Sequence, residues 1–229
     1  MSIKITPWVL MLGLVLTSCQ PTRQTLTSLQ ISSLKAIDLE ETLSRGDELL
    51  MAYSLTTLDA NGKAVAVING SWGVQETKEG QSFRSDVFSP IEIPLPKNGK
   101  VVASLVLVEI DDYASAQKTL AEIKKYNDYI KIPAGLVELA DVALTPLKYI
   151  SLGLTAAGVG FKIADQLDND DILGQNSTEL TYEKAIVTPV VRVPLTFKNK
   201  NFGDSFHYEL AYDLTTRTVR LKPSPKLKF

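Results

Sequence analysis

Between residues 101 and 112 the chain reads VVASLVLVEIDD, an almost unbroken β-branched and aliphatic run that ends in Glu109, Asp111 and Asp112. Preceded by the turn-forming Pro96-Lys97-Asn98-Gly99, this run predicts a strand covered on both faces of a sheet. The surrounding pattern is also mainly that of strands. Residues 29–37 partly alternate, 38–47 form a polar loop, and 49–58 resume a strand. Asp59-Ala60-Asn61-Gly62-Lys63 supplies a hairpin turn. Residues 64–68 predict a short strand ended by Asn69-Gly70, with Trp72-Gly73-Val74 and 83–88 following across a polar loop. Pro90, Pro94 and Pro96 mark the IEIPLP segment as an edge. Further on, 177–183, 185–195, 205–214 and 218–221 read as strands, Pro189 and Pro194 again indicating an edge. Strands at this spacing, separated by turn signals, imply a mainly β fold, an antiparallel β-sandwich.

The β pattern is interrupted once. From residue 113 to 167 the period changes to that of helices, so an α-helical insertion is expected between two core strands. Asp112 can cap a helix running to about Ile130, with Ala116, Leu120, Ile123 and Ile130 on one face. Pro133 suits a first helical position, ahead of a stripe made by Leu136, Leu139, Ala140 and Ala143. Thr145-Pro146 restarts the helix as cap and first residue. Gly153, Ala157, Gly160 and Ala164 then form a small-residue face that allows close approach of another element. Glu138, Asp141, Lys148, Lys162 and Asp165 argue for a helical hairpin in water over a membrane span. The insertion ends in a second acidic cluster, Asp168-Asn169-Asp170-Asp171.

Charge and cysteine usage narrow the setting. The formal net charge is −2, which argues against a nucleic-acid partner and against a strongly polybasic patch. Cys19 is the sole cysteine, so no disulfide is expected and stability must come from the core. It follows Lys4 and an apolar stretch, Trp8 to Leu16, too short to span a bilayer. Leu16-Thr17-Ser18-Cys19 resembles the lipobox of bacterial lipoproteins. That resemblance implies a signal peptide over 1–18, covalent lipid on Cys19 and attachment to a membrane of the bacterial cell envelope. Gln20 resembles the outer-membrane sorting class. An ordinary signal peptide with a chance cysteine is the alternative. Residues 19–28, rich in Thr, Gln and Ser, read as a tether, leaving 29–229 as one domain.

Three stretches together resemble a C2 domain, a β-sandwich family that often binds calcium and membranes through loops at one end. They are LQISSLKAIDLEETLSRGDELLMAY from Leu29, SLVLVEIDDY from Ser104, and Asp171-Ile172-Leu173-Gly174. Position by position, the resemblance implies Glu41 and Asp47 as loop-one calcium ligands, with Asp111 (or Asp112) and Asp171 as loop-three ligands. Carboxylates converging from two loops suit calcium, which takes six to eight oxygens. The sequence departs from the family at Glu41, where an aspartate is usual, and after Asp47, where Glu48-Leu49 replaces Pro-Tyr. The helical insertion also falls within loop three. The same aspartates suit helix caps and solvated loop ends equally well.

Nothing points to catalysis. His207, the sole histidine, sits between Phe206 and Tyr208 in a strand pattern and reads as a satisfied strand residue. Gly153 to Gly160 lacks the preceding strand that a dinucleotide site requires, and no nucleophile elbow is present. Asn176-Ser177-Thr178 matches a glycosylation sequon that carries little weight in a bacterial envelope. The expected function is that of a non-enzymatic binding module making calcium-modulated membrane or protein contact. The alternative is a metal-free structural or assembly component of an envelope complex that docks through its helical insertion. A hydrolase with a carboxylate-bound metal ranks third.

Overall fold

The computed structural model describes residues 23–39, 46–110, 121, 130–131, 145–146, 148–151, 172–200 and 205–221. Among these, the chain forms β1 (Arg23–Asp38), β2 (Asp47–Leu58), β3 (Ala64–Thr77), β4 (Ser82–Arg84), β5 (Ile91–Leu95) and β6 (Lys100–Glu109). These are followed by β7 (Ile130–Lys131), β8 (Ile172–Thr181), a short helix α1 (Tyr182–Val187), β9 (Val190–Lys200) and β10 (Ser205–Arg220). One antiparallel sheet runs β4-β1-β10-β9, with β5 also on β1; the other runs β7-β3-β2-β6-β8. The fold is therefore mainly β, built on two antiparallel sheets.

Alternation explains the packing. Leu49, Met51, Tyr53 and Leu55 of β2 and Val101, Ala103, Leu105 and Leu107 of β6 point toward the first sheet. There they meet Leu29, Ile31 and Leu34 of β1 and Leu210, Tyr212 and Leu214 of β10 in one apolar cluster. The intervening residues Leu50, Ala52, Val106, Val108 and Ile110 form a second cluster on the far face, covered by Ile150. This double burial is why β6 is almost continuously apolar from Val101 to Val108, as its sequence implied. β5 and β9 each pair with a single neighbour, in keeping with their prolines.

Several boundaries differ from the sequence reading. Residues 23–28, expected as tether, are strand, paired with Thr215 to Arg220 on one side and partly with β5 on the other. Two β-branched residues, Thr25 and Thr27, and pairing on both sides outweigh the polar composition. β3 does not stop at Asn69-Gly70 but runs on to Thr77. Ile130, expected on a helix, pairs in β7 with Val67. Residues 182–187, assigned to strands on either side of Lys184, form α1, which Thr181 caps by accepting the Lys184 backbone N–H at 3.3 Å. Residues 218–220 continue β10 and make no separate strand. Most of the expected insertion, 113–167, lies outside the described residues. Of what is described there, 121, 146 and 148–151 are helical, and Thr145 accepts from the backbone N–H groups of Lys148 and Tyr149, as a cap should.

Two core tyrosines carry a pH consequence. The Tyr212 hydroxyl is hydrogen-bonded to Asn176 Oδ1 (2.8 Å) and Thr178 Oγ1 (2.7 Å), bridging the sheets and engaging both ends of the sequon. Burial pushes its hydroxyl up to about 12, with the Thr178 bond opposing, and burial also pushes Tyr53 well up. A raised folded-state value means stability that is complete below the ordinary tyrosine range and is lost as pH climbs from about 10 to about 12. Denaturant midpoints across that range should fall steeply, and Tyr212→Phe should flatten the fall. An unchanged slope in that variant would remove Tyr212 as its source.

Candidate functional site

The chain leaves β6 at Ile110 and re-enters the same sheet at Ile172, which lies opposite Val108. Exit and return are therefore neighbours at one end of the sandwich. β2 begins there too, because Leu49 pairs with Glu109 and the Ile110 N–H donates to the Glu48 carbonyl at 2.9 Å. In the facing sheet, β1 ends beside His207 at Asp38, whose Oδ2 accepts from Ser205 Oγ at 2.8 Å. Asp38, Asp47, Glu48, Glu76 and Glu109 thus collect at this end. Glu48 and Glu76 stand directly opposite one another, a like-charge cross-strand pair.

Asp47 occupies a different position from the one its sequence context suggested. It is not on a loop: it opens β2 opposite Thr77 and is fully buried. Counting back from Tyr53, Met51 and Leu49 by twos places Asp47 on the inner face, so its carboxylate enters the sandwich. There Oδ2 accepts a hydrogen bond from the equally buried Tyr208 Oη of β10. The pair ties one sheet to the other at the acidic end. Alternation alone could have found this, since 47 shares parity with the core positions of β2. The partner, more than a hundred residues away, carries no local signal.

Glu41, Asp111, Asp112 and Asp171 lie outside the described residues, as does Cys19. Among the described residues, no group of three or more His, Cys, Asp or Glu side chains could hold a metal ion. His207 is in β10, as expected, but its Nε2 is buried without a protein partner. No helix among the described residues is long and apolar enough to cross a membrane.

The outer face of the second sheet adds a feature the sequence reading missed. Asn69, Ser54, Ser104 and Ser177 lie side by side across β3, β2, β6 and β8. Ser104 and Ser177 share a hydrogen bond of 3.0 Å, and Asn69 Nδ2 donates to the Ile150 carbonyl at 3.1 Å. A polar row therefore crosses this apolar face, and the residue that covers the face is held to it by backbone as well as by packing. The signal was present as Ser54 and Ser104, each flanked by apolar residues, but the cross-strand register that aligns them is tertiary information.

No family model matches the chain, and no curated protein matches it.

Proposed function

We propose that this chain is a non-enzymatic bacterial envelope lipoprotein. In this reading it is anchored through lipid on Cys19, with the outer membrane favoured, and a C2-like sandwich serves as a binding module that presents its acidic end to a protein partner. The observation that supports this reading is the adjacency of β6 and β8. With the pairing of Leu49 and Glu109, it sets the start of β2 beside the exit and return of the excursion at one end of the double sheet, where sandwiches commonly carry recognition segments. Replacing Cys19 with serine should shift the protein out of the membrane fraction or leave it unprocessed. A variant held in that fraction as firmly as wild type would overturn the anchoring.

The same end supports two versions of the module. Glu48 facing Glu76, together with the sequence positions of Glu41, Asp111, Asp112 and Asp171, favours calcium modulation. The bond between Asp47 and Tyr208 favours the metal-free version, because Asp47 would have to leave a buried partner to reach an ion. Melting curves with calcium and with chelator decide between them. Binding at a hundredfold excess over Kd adds about 2.7 kcal/mol of stability, and Asp111→Asn with Asp171→Asn should abolish that gain. Superimposable wild-type curves would leave the metal-free module.

A further inference from the structure

We infer that the end of the sandwich opposite the acidic excursion rests on an anionic lipid surface, so that the long axis of the module stands away from the membrane. The inference rests on the anchoring proposed above, but its evidence is the distribution of side chains over the fold.

Strand register defines this second end. Arg23 pairs with Arg220, Thr25 with Leu95, and Val190 with Thr215 in the first sheet. Leu58 pairs with both Ala64 and Lys100, and Lys100 with Thr181, in the second. Gly99 donates to the Pro96 carbonyl, and its own carbonyl accepts from Tyr182, so turn, hairpin and α1 come together there. Large hydrophobic side chains left exposed among the described residues are concentrated at this end: Val65, Ile186 (63 %), Val187 (84 %), Val190 (54 %) and Leu221, with Val87 the exception. One exposed apolar residue is ordinary on a protein surface; it is their collection at one end that calls for an occupant. It is accompanied by the exposed cations Arg23, Lys63, Lys97, Lys184 and Arg220, against the nearby acids Asp59 and Glu183; Glu179 and Glu92 are there too but are ion-paired with Lys100 and Arg217. Asp38, Glu48, Glu76 and Glu79 stand at the other end, together with Lys35, Lys78 and Lys198.

Chain length selects the occupant. Arg23 opens β1 at this end and is four residues from Cys19. Four residues span at most about 14 Å even when fully extended. An acyl-anchored Cys19 therefore holds this end, and not the acidic one, against the headgroups. Apolar side chains flanked by lysine and arginine match the boundary between acyl chains and anionic headgroups.

Two variants of the full chain, Val187→Cys and Lys78→Cys, each add one cysteine to Cys19, whose thiol the lipid closes to labelling, and test the orientation. Lys78 is exposed and follows the end of β3 on the acidic side. Each variant is labelled with an environment-sensitive fluorophore in vesicles of phosphatidylethanolamine and phosphatidylglycerol, then titrated with doxyl-labelled lipid and with aqueous iodide. The label at 187 should shift to the blue and lose most of its emission to doxyl lipid, while that at 78 should respond only to iodide. Equal doxyl quenching at both sites, or quenching at 78 alone, overturns the inference. A label at 187 shielded from both quenchers means that a protein, another copy included, covers this end, and overturns it equally. A Cys19 that takes up fluorophore and carries no acyl mass overturns the anchoring itself and the tether argument with it, an outcome readable separately from the quenching.

Discussion

Truncation of Leu105 to alanine is expected to lower the unfolding free energy by about 3–5 kcal/mol, in the range for large-to-small changes at fully enclosed sites. Leu105 is 1 % exposed at the middle of β6, on the face turned toward the other sheet. It stands between Tyr53 of β2 and Asn176 of β8 in strand register. Those neighbours cannot collapse into the space it leaves, because each is held at its far end. Tyr53 Oη donates to the Ser89 carbonyl at 2.5 Å, and Asn176 Oδ1 is hydrogen-bonded to Tyr212. The cavity would therefore persist and add its own cost to the lost transfer energy. Urea denaturation should report the loss as a lower midpoint at unchanged slope. Val187→Ala, at a position 84 % exposed, should stay within about 0.5 kcal/mol of wild type. A Leu105 variant as stable as that control would mean that the two sheets do not meet at this position.

β6 is also the element most legible in the sequence, and for the same reason. Leu105-Val106-Leu107-Val108 has no polar member, so it can be satisfied only by cover on both sides, and its central place in the sheet follows from composition. The neighbouring of β6 and β8 is implied only by the C2 resemblance; the strand pattern itself carries no pairing. The remaining boundaries depend on partners that no local window contains. Residues 23–28 look like linker until β10 and β5 are beside them. Residues 182–187 have enough apolar members for a strand, yet Glu183, Lys184 and Ala185 are sound helix formers once Thr181 caps them. At the acidic end, parity places Asp47 inward, while the sharing of its carboxylate with Tyr208 is a contact between sheets. The four other proposed ligands lie outside the described residues, so of that set only Asp47 has a stated environment.

The strand end expected at Asn69-Gly70 fails for a reason that leads to a second large effect. As a dipeptide it signals a turn, but Gly70 lies within β3, directly opposite Tyr53. A Cβ placed there would stand 2.3 Å from Tyr53 Cε2 and 2.7 Å from Cζ, so the ring lies across the bare glycine backbone. Glycine is needed here for close approach, not for a bend. The ring has little freedom to move, since it is fully buried and its hydroxyl is fixed to Ser89. Gly70→Ala is therefore expected to cost about 3 kcal/mol, combining overpacking with disturbance of the tyrosine hydrogen bond. Gly62→Ala provides the contrast: its φ of 80° is strained for alanine, but no atom lies within 4 Å of the added carbon. That change should cost only about 1 kcal/mol. A double-mutant cycle isolates the contact, because Tyr53→Leu removes the ring and should make Gly70→Ala much less costly in that background. Additive losses in the cycle would show that the ring does not depend on the glycine.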